Sequence, residues 1–289
     1  MKILITGATG FVGRNLIPKL FNDNHDILEL TRSIKKSQEL FGTKTFRLDI
    51  TDIKFKEKIL EFNPEVVIHL ASFLTSSDKF EDVKKLLDVN ILFLSKVLDS
   101  VSKGNLKLFI NTGTFAEYLK GNENFEPAYF YAATKTASRA LVDYYSIAYD
   151  FKQCTIVPYT IYGGEDSQKK IIDLIYDSTR NNIAIDLSKG EQVLDFIHID
   201  DVTDFYALVI RNINKLSNKS NFKLGTGIGY SLRELANKME ELTNLKANVN
   251  WGAKKYRKSD VMHAVANIDN IKKIFFWEPK ISLEEGLLK

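Results

Sequence analysis

The chain has 289 residues, of which 44% are hydrophobic and 27% charged, a composition that excludes disorder of the whole chain. Its 40 basic and 37 acidic side chains leave a net charge of +3, which does not indicate a nucleic-acid or membrane-surface protein. The single cysteine, Cys154, excludes an intramolecular disulfide, and none of the four histidines clusters with it as a metal site would require. No apolar run reaches the roughly 20 residues of a membrane span. The strand-like Lys2–Ile5 leaves no room for a signal peptide, so we expect a cytoplasmic protein without membrane insertion, nucleic acid or metal.

In the first half of the chain, short apolar runs rich in β-formers alternate with helical patterns. The predicted strands are Ile3–Ile5, Asp26–Leu30, Thr45–Leu48, Val66–Leu70, Leu106–Ile110 and Cys154–Val157. Helices are predicted up to about Leu20, in a lysine-rich segment before Val66, around Val83–Ser100 and over Tyr131–Tyr149. Strands that are separated by helices imply a parallel sheet with helices on both faces.

In the second half the order of elements changes. The predicted elements are a helix at Lys169–Asn181, a short strand before Lys189, a strand at Phe196–Ile199, a helix at Val202–Arg211, a strand at Phe222–Gly225, a helix that Ser231 caps and that ends at Thr243, and a last helix near Asn267–Phe275. We therefore predict an α/β fold, a Rossmann-like doubly wound parallel sheet with a smaller, interleaved C-terminal lobe.

Three glycines, Gly7, Gly10 and Gly13, are spaced by threes between the first strand and the first helix. Without Cβ atoms they allow a tight turn and let a pyrophosphate approach the N–H groups of the helix N-terminus. This context indicates a dinucleotide-binding loop. The predicted cofactor contacts in it are Gly7, Thr9, Gly10, Phe11, Val12 and Gly13.

The end of the second predicted strand bears on which nicotinamide cofactor is used. An NAD-specific site would carry an acidic residue here, but the sequence has Thr31 followed by Arg32. A guanidinium pairs with a 2′-phosphate that a carboxylate would repel, so these residues favour NADP, with NAD(H) as the alternative. Asp49 and Ile50, after the third strand, are placed to reach the adenine.

Tyr131 and Lys135 are four residues apart and so share one face of a helix. We expect the ammonium, together with the positive nicotinamide ring of an oxidised cofactor, to lower the pKa of the phenol. The phenol can then exchange a proton with a carbinol oxygen as hydride moves at the adjacent carbon. Upstream, a strand ends in Thr112-Gly113-Thr114, and Thr112 is predicted to hydrogen-bond the same oxygen.

These motifs resemble the extended short-chain dehydrogenase/reductases of the NDP-sugar epimerase/dehydratase family. The matching stretches are Gly7–Gly13, Val67–Ser72, Asn90, Tyr131 with Lys135, Asp195–Val202 and Trp277–Gly286. The resemblance implies an NADP-binding Rossmann domain over 1–162 with a return over 194–226, and a sugar-nucleotide lobe over 163–193 and 227–289. It implies Thr112, Tyr131 and Lys135 as catalytic residues. It further implies cofactor contacts at Leu70, Ala71, Ser72, Asn90, Tyr131, Lys135, Pro158, Thr160 and Ile161, and substrate contacts at Ser72, Thr112, Thr114, Phe115, Tyr131, Thr160 and Arg257.

Within that family, dehydratases carry Asp-Glu directly after the catalytic threonine, where this sequence has Gly113-Thr114. The stretches Asn111–Tyr118 and Tyr129–Lys135 resemble the CDP-abequose and CDP-paratose synthases. The resemblance implies NADPH-dependent reduction of the 4-keto group of a nucleotide-linked deoxyhexose, in surface-polysaccharide (O-antigen) sugar synthesis. The alternatives are an NAD-retaining 4-epimerase and a non-catalytic NADP-sensing regulator.

Two positions depart from the family pattern. Where the family commonly has an arginine that binds the diphosphate, this sequence has Leu194, and where the family has a substrate-binding asparagine it has Thr160. Arg257, Lys254 or Lys255 is then expected to bind the diphosphate.

The apolar faces of the helices around Val83–Ser100 and over Tyr131–Tyr149 predict a homodimer. The residues on which that prediction rests are Leu86, Leu87, Leu92, Phe93, Leu141 and Tyr145.

Overall fold

The computed structural model describes residues 1–77, 79–121, 124–164 and 169–289. The chain forms two interleaved compact units. The first comprises Met1–Glu117, Tyr129–Val157 and Thr203–Phe222, and the second comprises Tyr118–Ala128, Pro158–Val202 and Lys223–Lys289. Assigning the cofactor to one lobe and the sugar nucleotide to another, with the boundaries given above, stays a prediction.

Strands and helices alternate through the first part of the chain. The elements are β1 Lys2–Thr6, α1 Phe11–Asn22, β2 Asp26–Thr31, α2 Ile34–Phe41, β3 Phe46–Asp49, α3 Phe55–Phe62, β4 Val66–His69, α4 Phe80–Leu87, α5 Phe93–Val101, β5 Leu108–Thr112, α6 Phe130–Tyr149 and β6 Lys152–Pro158. A 3₁₀ turn at Phe115–Glu117 follows β5.

The second part adds shorter strands. The elements are β7 Thr160–Tyr162, α7 Ile171–Arg180, β8 Ile185–Leu187, β9 Val193–His198, α8 Ile199–Arg211, β10 Lys219–Leu224, β11 Gly229–Ser231, α9 Leu232–Thr243, β12 Val249–Trp251, β13 His263–Ala264, α10 Asp269–Phe275 and α11 Leu283–Leu288. Residues 165–168, inside the predicted sugar-nucleotide lobe, lie outside the described residues.

The main sheet of the described residues has the strand order β3-β2-β1-β4-β5-β6-β10. The pairings from β3 through β6 are all parallel. The strand order reverses between β1 and β4, and in such sheets ligands bind at the carboxyl ends of the strands beside that reversal. The predicted doubly wound parallel sheet is therefore confirmed.

Burial explains why the strands of this sheet are almost continuously apolar. The side chains of Ile3–Ile5, Val66–Ile68 and Leu108–Ile110 are fully buried, because helices cover both faces of the sheet. One face packs on a cluster that includes Leu94, Val97 and Leu98 of α5.

The prediction of a single helix around Val83–Ser100 is wrong in one respect. A π-helical turn at Asp88–Leu92 separates α4 from α5, and Asn90 lies buried within it. A π turn widens the helix by one residue and re-aims its side chains, and such turns are frequent at functional sites. Sequence periodicity is too coarse to show an insertion of this kind.

The second unit has its own sheet and core. β9 pairs with β7, β11 and β13, and Phe196 packs in a cluster with Leu235 and Met239 of α9. Ser231 caps α9, since its side chain accepts the Glu234 N–H and the Glu234 carboxylate accepts the Ser231 N–H, as the sequence predicts. Over the part of the chain that the structure describes, no helix is both long and apolar enough to span a membrane.

Candidate active site

The glycine loop after β1 is packed so tightly that side chains do not fit. Gly7 has a φ of +70°, and a Cβ there would lie 2.7 Å from the Ala71 nitrogen. A Cβ on Gly13 would lie 2.5 Å from the carbonyl oxygens of Gly7 and Ala8. The loop therefore needs glycine at both positions, for the turn at Gly7 and for the close approach of α1 at Gly13.

The N-terminus of α1 is open to an anion. Its cap residue is Gly10, which offers no side-chain hydrogen bond, and the first turn carries no acidic residue. The N–H groups of a first helical turn have no partner within the helix and carry partial positive charge. The chemistry of this loop, including the predicted contacts Thr9, Phe11 and Val12, thus fits the pyrophosphate of a dinucleotide.

The carboxyl end of β2 presents a free guanidinium. Thr31 is buried, and its hydroxyl accepts the Ser33 N–H at 3.1 Å. Arg32 is exposed and makes no ion pair with the described residues. At the end of β3, one oxygen of Asp49 accepts the N–H and the hydroxyl of Thr51, which lowers the pKa of the carboxyl. Thr31 and Asp49 end the neighbouring strands β2 and β3, and Arg32 directly follows Thr31. Their contact with an adenosine stays a prediction.

Asn90 organises the chain that follows β4. Its Oδ1 accepts the Phe73 N–H at 2.8 Å and the Ser72 hydroxyl at 3.2 Å. Its Nδ2 donates to the Phe73 carbonyl at 3.2 Å and to Thr134 of α6 at 2.9 Å. The π turn therefore joins the segment that carries Ser72 to the helix that carries Tyr131.

Tyr131 and Lys135 are buried side chains of α6, with 8% and 3% of their surfaces exposed. Burial raises the pKa of Tyr131 well above its usual value, while hydrogen bonds with Ser72 and Thr114 act in the opposite direction. Burial also lowers the pKa of Lys135 to about 8. Burial is the largest of these influences on the phenol, and a lowering of its pKa by Lys135 and a bound oxidised cofactor stays a prediction. At neutral pH the phenol carries its proton.

Thr112 does not face Tyr131. Its Oγ1 lies 2.7 Å from the Tyr206 hydroxyl of α8, whereas the neighbouring Asn111 donates to Ser138 of α6 at 3.3 Å. Successive side chains of a strand point to opposite faces, so Asn111 faces α6 and Thr112 faces away from it. The structure thus separates Thr112 from the phenol with which it was predicted to act.

Thr114 occupies that place instead. It follows β5 by two residues, where the chain leaves the strand for the 3₁₀ turn, and its hydroxyl reaches Tyr131. The Thr114 N–H donates to Oε1 of the fully buried Glu117 at 2.8 Å. A Thr-x-x-Glu spacing is a helix-capping pattern, and it is the signal in the sequence that could have revealed this turn.

Sequence reasoning also missed Arg139, which binds Glu117. Its Nε donates to Oε2 at 2.7 Å and its Nη2 to Oε1 at 3.2 Å. Arg139 follows Lys135 by four residues, as Lys135 follows Tyr131, so a stripe along α6 runs Tyr131, Lys135, Arg139.

The remaining predicted contacts are divided between the two units, and four of them belong to the second. Pro158 ends β6, Thr160 and Ile161 lie half-buried in β7, and Arg257 is exposed in the loop before β13. Leu194 lies in β9 opposite Tyr230. In the first unit, Leu70 and Ala71 pack beside Gly7, and half-buried Ile50 and Phe115 follow β3 and β5.

Two histidines have structural surroundings. Nδ1 of buried His69 lies 3.0 Å from the Thr6 hydroxyl, and burial lowers the pKa of His69 to about 3, so its ring is neutral. His198 packs edge-on against Tyr162. Within the described residues, no group of three or more His, Cys, Asp or Glu side chains could hold a metal ion.

Comparison with known proteins gives consistent matches over the whole chain. The NAD-dependent epimerase/dehydratase family matches residues 3–225. The chain is 26% identical to the CDP-abequose synthase of Salmonella typhimurium, over 99% of this chain and 95% of that one. It is 23% identical to the UDP-glucose 4-epimerase of Mycolicibacterium smegmatis, over 100% and 97%. The Bacillus cereus UDP-glucuronic acid 4-epimerase, solved with UDP-glucuronic acid and NAD, shares the fold with a TM-score of 0.88 at 20% identity, covering 100% and 97%.

Proposed function

Since this chain belongs to the NAD-dependent epimerase/dehydratase family, we propose that it is a reductase that uses NADPH to convert a 4-keto group of a nucleotide-linked deoxyhexose to a hydroxyl. Similarity to CDP-abequose synthase supports a CDP-linked sugar and a role in making surface-polysaccharide sugars. The observation that carries the proposal is the buried Tyr131 within hydrogen-bond reach of Thr114, with the neighbouring carboxylate of Glu117 paired with Arg139.

In this proposal Tyr131 is the proton donor. Its raised pKa keeps the phenol protonated at neutral pH, so it can donate to the carbonyl oxygen that becomes the new hydroxyl. When bound, the nicotinamide supplies the hydride to the adjacent carbon.

Thr114 and Lys135 would support that transfer. The Thr114 hydroxyl reaches Tyr131 and can donate a hydrogen bond to the same substrate oxygen as negative charge develops there. Lys135 lies one helical turn from Tyr131, and its Nζ makes no hydrogen bond with the described residues. A buried ammonium with that freedom fits the ribose hydroxyls of the cofactor and would stabilise the phenolate that remains after transfer.

Water elimination is disfavoured by the same geometry. A dehydratase needs an acid and a base after its catalytic threonine, and Thr114 is followed by Phe115 and Ala116. The nearest carboxylate, Glu117, is bound to Arg139 and to the Thr114 N–H. It is therefore not available for acid–base chemistry on a substrate.

The 4-epimerase is the second candidate, because known 4-epimerases resemble this chain over its full length. We would offer the protein a CDP-linked 4-keto-6-deoxy sugar with NADPH and, separately, UDP-glucose without added cofactor. We expect stoichiometric oxidation of NADPH in the first reaction. UDP-galactose in the second reaction, without NADPH oxidation in the first, would establish the epimerase. Binding of NADPH with no turnover of either substrate would favour a non-catalytic sensor.

Preference for NADPH over NADH is proposed to depend on Arg32. We expect Arg32→Ala to reduce that preference by about 10–100-fold, since a charge-assisted bond to phosphate contributes about 1.5–3 kcal/mol. The measurement is kcat/KM with each cofactor. Lys35→Ala, at an exposed lysine of α2, is the control and should leave the ratio unchanged. Equal kcat/KM values for the two cofactors in the unsubstituted enzyme would refute the assignment.

A homodimer is proposed from exposed apolar residues on α6 and on the adjoining π turn. Ile147 is 84% exposed and Leu92 66% exposed, whereas Leu86, predicted for that face, is fully buried. Phe93, Leu141 and Tyr145 also pack on the core. We expect light scattering to give twice the 33.0 kDa chain mass. Leu92→Glu with Ile147→Glu should give monomers, while Ile53→Glu, at a still more exposed residue before α3, should not. A monomer mass for the unsubstituted protein would contradict the prediction.

A further inference from the structure

The ion pair of Glu117 and Arg139 joins the two elements that carry the proposed proton-transfer groups. Glu117 ends the 3₁₀ turn that directly follows Thr114, and Arg139 belongs to the stripe of α6 that carries Tyr131 and Lys135. Both carboxylate oxygens accept from the guanidinium, at 2.7 Å and 3.2 Å. Glu117 is fully buried, and the Arg139 side chain is 12% exposed.

The pair also fixes the backbone between β5 and the turn. Glu117 Oε1 accepts the Thr114 N–H at 2.8 Å. A Cβ on Gly113 would lie 2.6 Å from that same oxygen and 2.9 Å from Arg139 Nη2, so the pair lies directly against the Gly113 backbone. The Thr136 hydroxyl of α6 donates to Oε2 at 3.3 Å. The carboxylate that accepts the Thr114 N–H is therefore itself held by two residues of α6, Arg139 and Thr136.

We propose that Glu117 and Arg139 are positioning residues, which clamp Thr114 against Tyr131 and together present no net charge to Lys135. The inference rests on the proposed function for the roles of Thr114, Tyr131 and Lys135. Neither residue needs to touch substrate or cofactor. A guanidinium that donates to both oxygens of a carboxylate fixes the orientation of the two groups, which a single hydrogen bond does not.

The two charges act on Lys135 in opposite directions. Burial lowers the pKa of Lys135, the Glu117 carboxylate raises it, and the Arg139 guanidinium lowers it. Among the other titratable groups near Lys135, His69 at the end of β4 is neutral, and the phenol of Tyr131 is protonated at neutral pH. Removing the carboxylate alone would leave a buried cation near Lys135, and the ammonium would then lose its proton at lower pH.

The test has two measurements on Glu117→Gln. The first is the kcat and the KM for NADPH: we expect kcat to fall by about 10–100-fold with an unchanged KM, since a small displacement of a reacting group can cost about 100-fold. The second is the titration of Lys135 by NMR of lysine labelled at Cε, assigned with Lys135→Arg. We expect its midpoint to move to lower pH. Glu65→Gln, which removes the acid of the exposed Lys107–Glu65 pair, should change neither quantity.

Two further variants cover the case in which Glu117→Gln does not fold. Arg139→Lys keeps the positive charge but loses the paired hydrogen bonds to both oxygens of Glu117. We therefore expect kcat to fall while the Lys135 midpoint stays at its original pH. Glu117→Gln with Arg139→Gln removes both charges, so the Lys135 midpoint should return towards its original pH. If these variants lower stability but leave kcat per folded enzyme and the Lys135 midpoint unchanged, the pair only supports the fold and the proposal is overturned.

The Lys135 titration needs no substrate. A shifted midpoint in an enzyme that does not oxidise NADPH with the keto sugar would support the electrostatic part of the proposal while rejecting the reductase. An unshifted Lys135 midpoint in an enzyme that does oxidise NADPH with the keto sugar would support the reductase and reject the electrostatic part of the proposal.

Discussion

Tyr131→Phe is expected to keep NADPH binding and to lower turnover of the 4-keto sugar nucleotide by about 10²–10⁴-fold, the usual contribution of a general acid. The substitution removes only the phenolic oxygen from a buried ring that stacks on Tyr129, so packing is retained. Binding is measured by quenching of NADPH fluorescence, and turnover by loss of NADPH absorbance.

Tyr144→Phe is the matched control, because it makes the same change on an exposed tyrosine of the same helix. It should alter neither quantity. If Tyr131→Phe turned over at the rate of the unsubstituted enzyme, Tyr131 would not be the proton donor and the proposed chemistry would fail.

Thr114→Val and Thr112→Val are expected to have opposite effects. Loss of the Thr114 hydroxyl removes a donor from the developing oxyanion, and such a loss typically lowers kcat by about 10²–10³-fold. Thr112→Val leaves the fully buried Tyr206 hydroxyl without its partner, which should cost about 1–3 kcal/mol of stability. Its kcat should stay close to that of the unsubstituted enzyme.

The two effects are separated by measuring kcat and the melting temperature of both variants. We expect a large fall in kcat with a small change in melting temperature for Thr114→Val, and the reverse for Thr112→Val. A loss of kcat confined to Thr112→Val would restore the assignment made from the sequence and would require the strand end to rearrange when substrate binds.

The features that the sequence predicts correctly are local ones. Gly7 and Gly13 mark a backbone that has no room for a Cβ, and this can be inferred from the spacing of glycines after one strand. The fully buried strands around Ile3–Ile5 and Val66–Ile68 read as apolar runs because both faces of a parallel sheet are covered. Tyr131 and Lys135 share a face because a helix repeats every 3.6 residues.

The choice between Thr112 and Thr114 depends on tertiary structure. Asn111 faces α6 and Thr112 faces α8, and only the packed fold shows which helix covers which face. The pairing of Glu117 with Arg139 likewise joins residues 22 apart in sequence, across a turn and a helix. Sequence spacing determines which side chains share one element, whereas the contact between two elements is determined by how they pack. In this protein that packing decides which hydroxyl meets the buried phenol.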